Sequence, residues 1–319
     1  MAAVQQNGIG FPHQIEIDRD DLIPGLKKLT ETIHEHGDGC KVVIQLSHCG
    51  RESMFLDEVI APSAIFEPTY NMTPKEMKIE DIEDTIKAFV EGARRAKEAG
   101  FDGIQLHSCH GFLLSGFLSP YTNRRTDEYG GNFENRMRII DEIYKRTVEL
   151  LGKDFSILIK INVDDYLEGG INLEESMKIA ERLSKMGFSA IEISSTMWET
   201  ATRTKEEIGW ETYNPFCYSR FDIDSKKKEA YHLPYAKEIK KIIDVPLILV
   251  GGIRSLSLIE EILENEDADF ISLCRPLIRE PDLPNKWLNG TGEDTCKCTS
   301  CNGCMGSLVL GPLGCIQEK

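Results

Sequence analysis

Six short apolar runs, rich in isoleucine and valine, alternate with longer amphipathic stretches along the chain. Their apolar character is nearly continuous, which is typical of strands buried on both faces of a parallel sheet. The runs occupy residues 41–46, 103–107, 156–162, 190–195, 247–252 and 270–274. Several of the stretches between them end at a glycine, the residue that caps a helix in a left-handed conformation without strain. This alternation predicts an α/β fold with a parallel sheet.

The amphipathic stretches predict six helices, and their repetition with the strands favours a TIM-type (β/α)8 barrel. The helices cover residues 20–36, 79–99, 132–151, 173–186, 234–243 and 255–264. A closed barrel needs eight strands. Because only six are visible, we expect an incomplete barrel over residues 1–290, followed by a cysteine-rich tail over residues 291–319. Residues 198–233 predict a long loop insertion.

The charge balance and the cysteine content narrow the class of protein. The 319 residues carry 37 Lys and Arg against 53 Asp and Glu, a net charge of −16. Nucleic acid and anionic lipid repel such a chain, so neither is expected as a partner. The sequence shows neither a secretion signal nor an apolar run of roughly 20 residues, and we expect a cytoplasmic protein. Five of the ten cysteines lie in the last 24 residues, which favours metal binding over disulfides.

The last two predicted strands carry a candidate phosphate site. In β/α barrels, functional side chains gather at the carboxyl ends of the strands. These two strands end in Gly251-Gly252 and in Cys274-Arg275. Glycine lets the backbone approach an anion closely, and arginine supplies a fork of donors that suits phosphate oxygens. The alternatives are glycines that merely turn the chain and an arginine paired with a surface carboxylate.

Three earlier strands also carry polar candidates. Gln45 suits the polar edge of a ring, or it bonds backbone as a buried structural residue. Lys160 lies within an apolar run and needs an anionic partner, either a structural carboxylate or the electron-rich end of a reduced ligand. His107 and His110 can both donate to one oxygen atom. The alternatives are one capping and one packing histidine, or a zinc site that lacks an evident third ligand. The polar stretch 119–136 predicts a rigid loop that positions the histidines.

These segments resemble the NADH:flavin oxidoreductase or Old Yellow Enzyme family. The resemblance rests on residues 45–51, on His107-x-x-His110-Gly-Phe-Leu and on residues 117–131, of which 126–131 form the most specific motif. The tail resembles the 2,4-dienoyl-CoA reductase and 2-enoate reductase branch of this family. The resemblance implies a barrel that holds FMN. Hydride would pass from NAD(P)H to the flavin and then to the β-carbon of an α,β-unsaturated carbonyl substrate.

The resemblance also implies roles for eight residues. Six would contact FMN, at the ring edge, near N1 and O2, or at the phosphate: Gln45, Lys160, Gly251, Gly252, Cys274 and Arg275. Two would bond the substrate carbonyl: His107 and His110. Lys160 stands where the family usually has arginine, which keeps the charge and loses the bidentate fork.

Two departures from the family pattern qualify this expectation. The family often has a tyrosine at the position of Phe112, and that tyrosine commonly protonates the α-carbon, so here the proton must come from water, a histidine or another group. The chain also begins too late to hold the family's first two β/α units, which predicts an open barrel with exposed strand edges. The alternatives to an active enzyme are therefore a catalytically impaired remnant and a non-redox phosphate-binding barrel. Lys160 is the only strand lysine that could form a Schiff base in such a barrel.

The cysteine tail resembles the cluster-binding segment of the same branch. The run Cys298-x-x-Cys301-x-x-Cys304 is followed by Cys315. Closely spaced thiolates hold iron–sulfur clusters, and a [4Fe–4S] cluster here would relay electrons to FMN from an electron-transfer partner. Zinc bound by four thiolates and a metal-free tail are the alternatives. A homo-oligomer is compatible with the sequence.

Overall fold

The computed structural model describes residues 1–54, 56–212 and 217–317, and a parallel sheet of eight strands forms its centre. The strands are β1 (Ala2–Ala3), β2 (Ile15–Glu16), β3 (Val43–Ser47), β6 (Gly103–Ser108), β7 (Ser156–Asn162), β8 (Ala190–Ser194), β9 (Leu247–Leu249) and β10 (Phe270–Ile271). Their order across the sheet is β2-β1-β3-β6-β7-β8-β9-β10. A separate parallel pair consists of β4 (Ile60–Ala61) and β5 (Lys75–Glu76).

All six predicted strands are present in the sheet. The expected total of six was wrong, because the sheet has eight strands. Two further strands, β1 and β2, extend one edge of the sheet, with β1 between β2 and β3. Each is only two residues long; β10 is equally short, but it lies within the longer apolar run 270–274, which marks it in the sequence. Among the described residues β2 and β10 do not pair with each other, so backbone hydrogen bonds do not close the barrel.

Helices contact the sheet along its length, for example α2 on β3 and β6, α5 on β8 and α7 on β9, and all six predicted helices are confirmed with small shifts at their ends. The helices are α1 (Ile23–His36), α2 (Ile79–Glu98), α3 (Leu113–Leu118), α4 (Phe133–Leu151), α5 (Leu173–Met186), α6 (Lys205–Ile208), α7 (Leu233–Lys240), α8 (Leu256–Glu264), α9 (Arg275–Arg279), α10 (Leu283–Leu288) and α11 (Gly303–Leu310). Asn132 and Asn172 cap α4 and α5 by accepting hydrogen bonds from backbone N–H groups three residues on.

The two faces of the sheet differ in character, and this difference positions the site. One face is apolar and buried, with residues such as Ile104, Leu106, Ile159, Ile161 and Ile193 in the main hydrophobic core. The opposite face carries polar side chains at the centre of four strands: Gln45, Gln105, His107, Lys160 and Glu192. Strand register pairs these positions directly across the sheet. Since side chains on one face recur every second residue, the polar residues form a layer inside the barrel.

The predicted loop insertion contains short helical turns rather than a long regular element. Trp198–Thr202 and Lys226–Lys228 form 3-10 helices, and α6 lies between them. Residues 213–216 lie outside the described part of the chain. Among the described helices, none combines the length and the apolar character needed to cross a membrane.

Candidate active site

A chain of side-chain hydrogen bonds crosses four neighbouring strands inside the barrel. Gln45 donates from Nε2 to Gln105 Oε1 at 2.6 Å, and Gln105 donates from Nε2 to Glu192 Oε2 at 2.8 Å. Lys160 donates from Nζ to Glu192 Oε1 at 3.0 Å. The network therefore joins two candidate flavin residues. Sequence reasoning missed Gln105 and Glu192, although each is a lone polar residue in the middle of an apolar run.

Lys160 and Glu192 form a buried ion pair. Burial alone would lower the pKa of Lys160, but the negative charge of Glu192 outweighs it, so the pKa is raised overall. Burial would likewise raise the pKa of Glu192, yet Lys160 and the Gln105 amide hold that pKa below its usual value. Both groups are therefore charged at neutral pH. The anionic partner that the sequence demanded for Lys160 is a carboxylate of the protein.

A cavity of about 240 Å³ lies at the carboxyl ends of β7, β8, β9 and β10. Five of the eight candidate residues line it: His110, Lys160, Gly252, Cys274 and Arg275. Three do not contribute to its lining: Gln45, His107 and Gly251. Ser300 and Met305 of the tail also line this cavity, so the tail packs against it. The structure thus brings most of the predicted site residues to one place.

Arg275 is buried and holds the tail on one side. Its Nη1 donates to Asn302 Oδ1, to the carbonyl of Arg220 at 2.8 Å and to the carbonyl of Ser300 at 3.4 Å. Within the described residues its Nε and Nη2 make no hydrogen bond, and its partners include no carboxylate. Half of the guanidinium fork therefore stays available for an oxyanion.

Gly251 and Gly252 follow β9 in conformations that favour glycine. Their φ angles are +140° and +69°. A Cβ on Gly252 would lie 2.9 Å from Tyr231 Cε1, and one on Gly251 would lie 3.1 Å from His232 Nδ1. A side chain at either position would be strained or crowded by the Tyr231–His232 segment. The glycine pair thus turns the chain and keeps the backbone close to the cavity wall.

His107 and His110 lie side by side, each stacked on an aromatic ring. Their ring centroids are 5.3 Å apart in an edge-to-face arrangement. Phe112 stacks on His107 at 4.5 Å, and Tyr218 stacks on His110 at 4.9 Å. Burial, followed by the positive charge of Lys160, lowers the pKa of His107. Burial, followed by its charged neighbours, also lowers the pKa of His110. Both imidazoles are therefore neutral at pH 7, and each carries one N–H donor.

A hydrogen-bonded loop holds His110 in a left-handed backbone conformation with φ of +64°. Its backbone N–H donates to Asn162 Oδ1 at 3.1 Å. Asn162 in turn donates to Asp165 Oδ1 at 2.8 Å and to the carbonyl of Thr196 at 2.9 Å. Ser119, at the start of the polar stretch, donates to Asp165 Oδ2 at 2.7 Å. Hydrogen bonds through Asp165 and Asn162 therefore connect the polar stretch to His110. Burial raises the pKa of Asp165 to about 6.

Cys109 supplies the third soft ligand that the sequence did not reveal beside the two histidines. Its Sγ lies 3.5 Å from His110 Nδ1 and 3.9 Å from both ring nitrogens of His107. One ligand atom from each of the three residues lies within 4.8 Å of the others, a spacing that could hold a metal ion. Burial raises the pKa of the thiol, which keeps it protonated. A metal here would have to displace that proton, because thiolate is the form of cysteine that binds zinc.

Four of the five tail cysteines line one small cavity beside α9: Cys298, Cys301, Cys304 and Cys315. N–H groups point at three of the sulfurs. Ser300 donates to Cys298 at 3.5 Å, while Gln317 and Arg279 donate at 3.7 Å to Cys301 and Cys315. Zinc at about 2.3 Å from each sulfur would bring four sulfurs to about 3.8 Å of one another. Among the described residues the tail cysteines do not form a compact group of three or more metal ligands, whereas the closely packed sulfurs of a zinc site would.

A parallel β/α sheet with a cationic cavity at the carboxyl ends of its strands defines a barrel protein suited to a phosphate-bearing ligand. The chain belongs to the NADH:flavin oxidoreductase / NADH oxidase family, a family of oxidoreductases, whose sequence profile matches residues 1–293. It is 37% identical over 306 residues to an NADH oxidase of Thermoanaerobacter brockii. It is 38% identical over 282 residues to an NADPH dehydrogenase of Geobacillus sp. (strain WCH70). The predicted family is confirmed.

The chain covers different shares of these relatives. The match takes in 93% of this chain but 44% of the NADH oxidase, and 88% of this chain and 75% of the NADPH dehydrogenase. A solved 2-naphthoyl-CoA reductase in complex with 2-naphthoyl-CoA aligns with a TM-score of 0.87 at 28% identity, over 98% of this chain and 48% of that one. An Old Yellow Enzyme homologue from Zymomonas mobilis, at 24% identity, aligns with a TM-score of 0.72 over 92% of this chain and 79% of that one, which supports the barrel fold.

Proposed function

We propose that this chain binds FMN and uses NAD(P)H to reduce the C=C bond of an α,β-unsaturated carbonyl compound. The observation that carries the proposal is the convergence of His110, Lys160, Gly252, Cys274 and Arg275 on one cavity. The names of the relatives support the hydride donor, and the 2-naphthoyl-CoA complex supports an unsaturated thioester as the substrate class.

The donors around the cavity suit the parts of FMN. The free Nε and Nη2 of Arg275, with the backbone at Gly252, would hold the phosphate. Lys160 would face the electron-rich edge of the ring. Gln45 would bond the polar rim of the ring, and its hydrogen bond to Gln105 would hold its amide in position. When bound, FMN accepts hydride from the nicotinamide and passes it to the substrate. Because Glu192 neutralises Lys160, the protein offers the ring a dipole instead of a full positive charge.

The two neutral histidines would polarise the substrate. Each donates one N–H, and two donors at one carbonyl oxygen draw electron density away from the β-carbon. Phe112 fixes the ring plane of His107 by stacking. The Ser194 hydroxyl would donate to His110 Nε2 at 2.8 Å, which leaves the single N–H of His110 on Nδ1. Neither imidazole carries a positive charge, so substrate binding does not require their protonation.

Tyr218 would supply the proton that Phe112 lacks. It stacks on His110 and lines the same cavity. Burial raises the pKa of its hydroxyl, so the proton is present at neutral pH. Sequence analysis missed this residue because it lies in the loop insertion, where no pattern marks it.

The charge state of Lys160 disfavours the non-redox alternative. A Schiff-base lysine needs a lowered pKa to act as a nucleophile. Glu192 instead raises the pKa of Lys160, which keeps the amine protonated.

We also propose a [4Fe–4S] cluster in the tail. Its support is the single cavity shared by Cys298, Cys301, Cys304 and Cys315, and the N–H donors that point at three of the sulfurs. Such donors are a usual means of tuning cluster potential. Anaerobically prepared protein should contain iron and labile sulfide. Zinc, or the absence of both elements, would refute the cluster.

Anaerobic absorbance spectroscopy of the full chain tests the main proposal. After incubation with FMN and removal of the excess, the protein should show flavin bands that bleach with NADH or NADPH and recover on addition of an enone. Arg275→Gln should weaken FMN binding at least tenfold, because it removes charge-assisted bonds to phosphate. Lys153→Gln, an exposed charge change beyond α4, is the matched control. Protein that never retains FMN, or bound FMN that NAD(P)H does not bleach, would reject the proposal.

A further inference from the structure

The loop insertion builds a second cavity, of about 420 Å³, beside the first. Tyr231 lines both cavities and forms a shared wall. The lining of this second cavity has four basic and two acidic side chains, although the chain as a whole has a net charge of −16. Lys205 and Glu211 lie 3.8 Å apart and offset each other, and Asp222 is the other acid. A local excess of positive charge in an acidic protein favours an anionic ligand.

Arg220 is the central cation of this second cavity, and two aromatic rings fix its orientation. Its guanidinium carbon lies 4.0 Å from the ring centroid of Trp210 and 4.3 Å from that of Tyr231. Its only side-chain hydrogen bond among the described residues is a long one, 3.4 Å from Nη2 to the Tyr166 hydroxyl. Both rings lie within cation–π distance of the guanidinium, and such contacts leave its N–H groups able to donate to other acceptors. A planar fork held in this way is suited to phosphate oxygens.

Lys227 supplies a second cation to the lining of this cavity. It is the middle of three consecutive lysines. Lys226 pairs with Asp294 at 3.1 Å, and Lys228 pairs with Asp224 at 2.9 Å. In the described part of the chain Lys227 makes no ion pair and no side-chain hydrogen bond, and it lines the cavity.

Trp210 adds an unused donor to the same cavity. Its indole Nε1 is buried and has no hydrogen-bond partner among the described residues. A buried N–H without a partner costs free energy that a bound acceptor would recover.

We propose that this second cavity binds the phosphate groups of a nucleotide-bearing ligand whose reactive end lies in the first cavity. Two ligands share this chemistry: a nicotinamide dinucleotide that donates hydride, and a coenzyme A thioester. The cavities meet at Tyr231, and Arg275 of the first donates to the backbone carbonyl of Arg220 in the second. The identity of the reactive end rests on the proposed function, whereas the phosphate site itself does not.

Calorimetric titration of the FMN-incubated chain with ADP tests the site directly and requires no turnover. We expect saturable binding that weakens as salt is added. Lys227→Gln and Arg220→Gln should each raise the ADP dissociation constant about tenfold, since each removes one charge-assisted contact. Lys153→Gln should leave it unchanged. Lys227 is exposed, so its replacement tests the site even if Arg220→Gln fails to fold.

Steady-state kinetics then separates the two ligands. If the dinucleotide occupies the cavity, Lys227→Gln raises the KM for NADH or NADPH and leaves the KM for a small enone unchanged. If the thioester occupies it, the KM for an enoyl-CoA rises instead. ADP that does not bind, or that binds equally well to Lys227→Gln and the parent chain, would overturn the proposal. A chain that binds ADP in this way but fails to reduce enones would refute only the proposed function.

Discussion

Replacing Glu192 with glutamine removes one partner of the buried ion pair while keeping the size of the side chain. Lys160 Nζ lies 3.0 Å from Glu192 Oε1, and the two side chains are 15% and 9% exposed. Two unit charges at that distance attract by roughly 5 kcal/mol at an effective dielectric constant of about 20. Removing one partner of a buried pair costs about 3–5 kcal/mol, because the remaining charge stays desolvated. Since Lys160 keeps some contact with water, we expect a loss of about 3 kcal/mol.

Urea unfolding followed by circular dichroism measures this loss in a double-mutant cycle. The variants are Glu192→Gln, Lys160→Met and the combination of both. Because the double variant leaves no unpaired charge, we expect its loss of unfolding free energy to be smaller than the sum of the two single losses by about 2 kcal/mol or more. If Glu192→Gln unfolds at the same urea concentration as the parent chain, or if the losses simply add, the two charges do not depend on each other. The reasoning about the polar layer would then be refuted.

The same variant bears on the flavin. With Glu192 neutralised, Lys160 would present an uncompensated positive charge to a bound ring. We expect the midpoint potential of bound FMN to rise in Glu192→Gln, since the reduced flavin carries negative charge. A potential that stays the same or falls would indicate that Lys160 does not face the ring.

Three further predictions concern pH, backbone strain and proton transfer. Burial lowers the pKa of His48 and of His232 to about 3. As the pH falls below about 6.5, these histidines bind protons in the unfolded chain but not in the folded chain. Urea titrations should therefore show a free energy of unfolding that is about 1 kcal/mol lower per histidine at pH 5.5 than at pH 7. If the two histidines contribute the same free energy of unfolding at pH 7 and at pH 5.5, this prediction is wrong. Gly111→Ala should cost about 2–4 kcal/mol, because its φ is +84° and a Cβ would lie 2.6 Å from a buried carboxylate oxygen. Gly39→Ala, at the same φ with no atom within 4 Å, is the control and should lose less. Tyr218→Phe should slow enone reduction about 100-fold and leave flavin reduction by NAD(P)H unchanged in stopped-flow measurements, whereas an unchanged enone rate would exclude this tyrosine as the proton donor.

Most of the sheet followed from local pattern. Strands buried on both faces are largely apolar, and the six predicted runs show that pattern apart from a few polar residues that face the inside of the barrel. The helices followed for a similar reason, because one apolar face and a terminal glycine are visible in the sequence alone. β1 and β2 were missed because they are two residues long and, unlike β10, do not lie within a predicted strand run, so only their pairing beside β3 makes them strands.

Part of the candidate site could also be predicted from local sequence, and part depended on tertiary contacts. Residue type and position at strand ends were enough to select Lys160, Gly252, Cys274 and Arg275, which the fold brings to one cavity. The partners of these residues depended on register and on loops. Glu192 meets Lys160 because β7 and β8 pair at those two residues, which the order of strands alone does not specify.

The sequence by itself determined six of the strands, six of the helices and which residue types lie at the ends of those strands. Those properties arise from hydrophobic periodicity and capping, which act over a few residues. Only the tertiary structure decided that Glu192 neutralises Lys160, that Tyr218 stacks on His110 and that Arg220 contacts two aromatic rings. Each of these contacts joins residues more than 30 positions apart or lies within the loop insertion. Their geometry depends on how whole elements pack, and no short-range pattern encodes it.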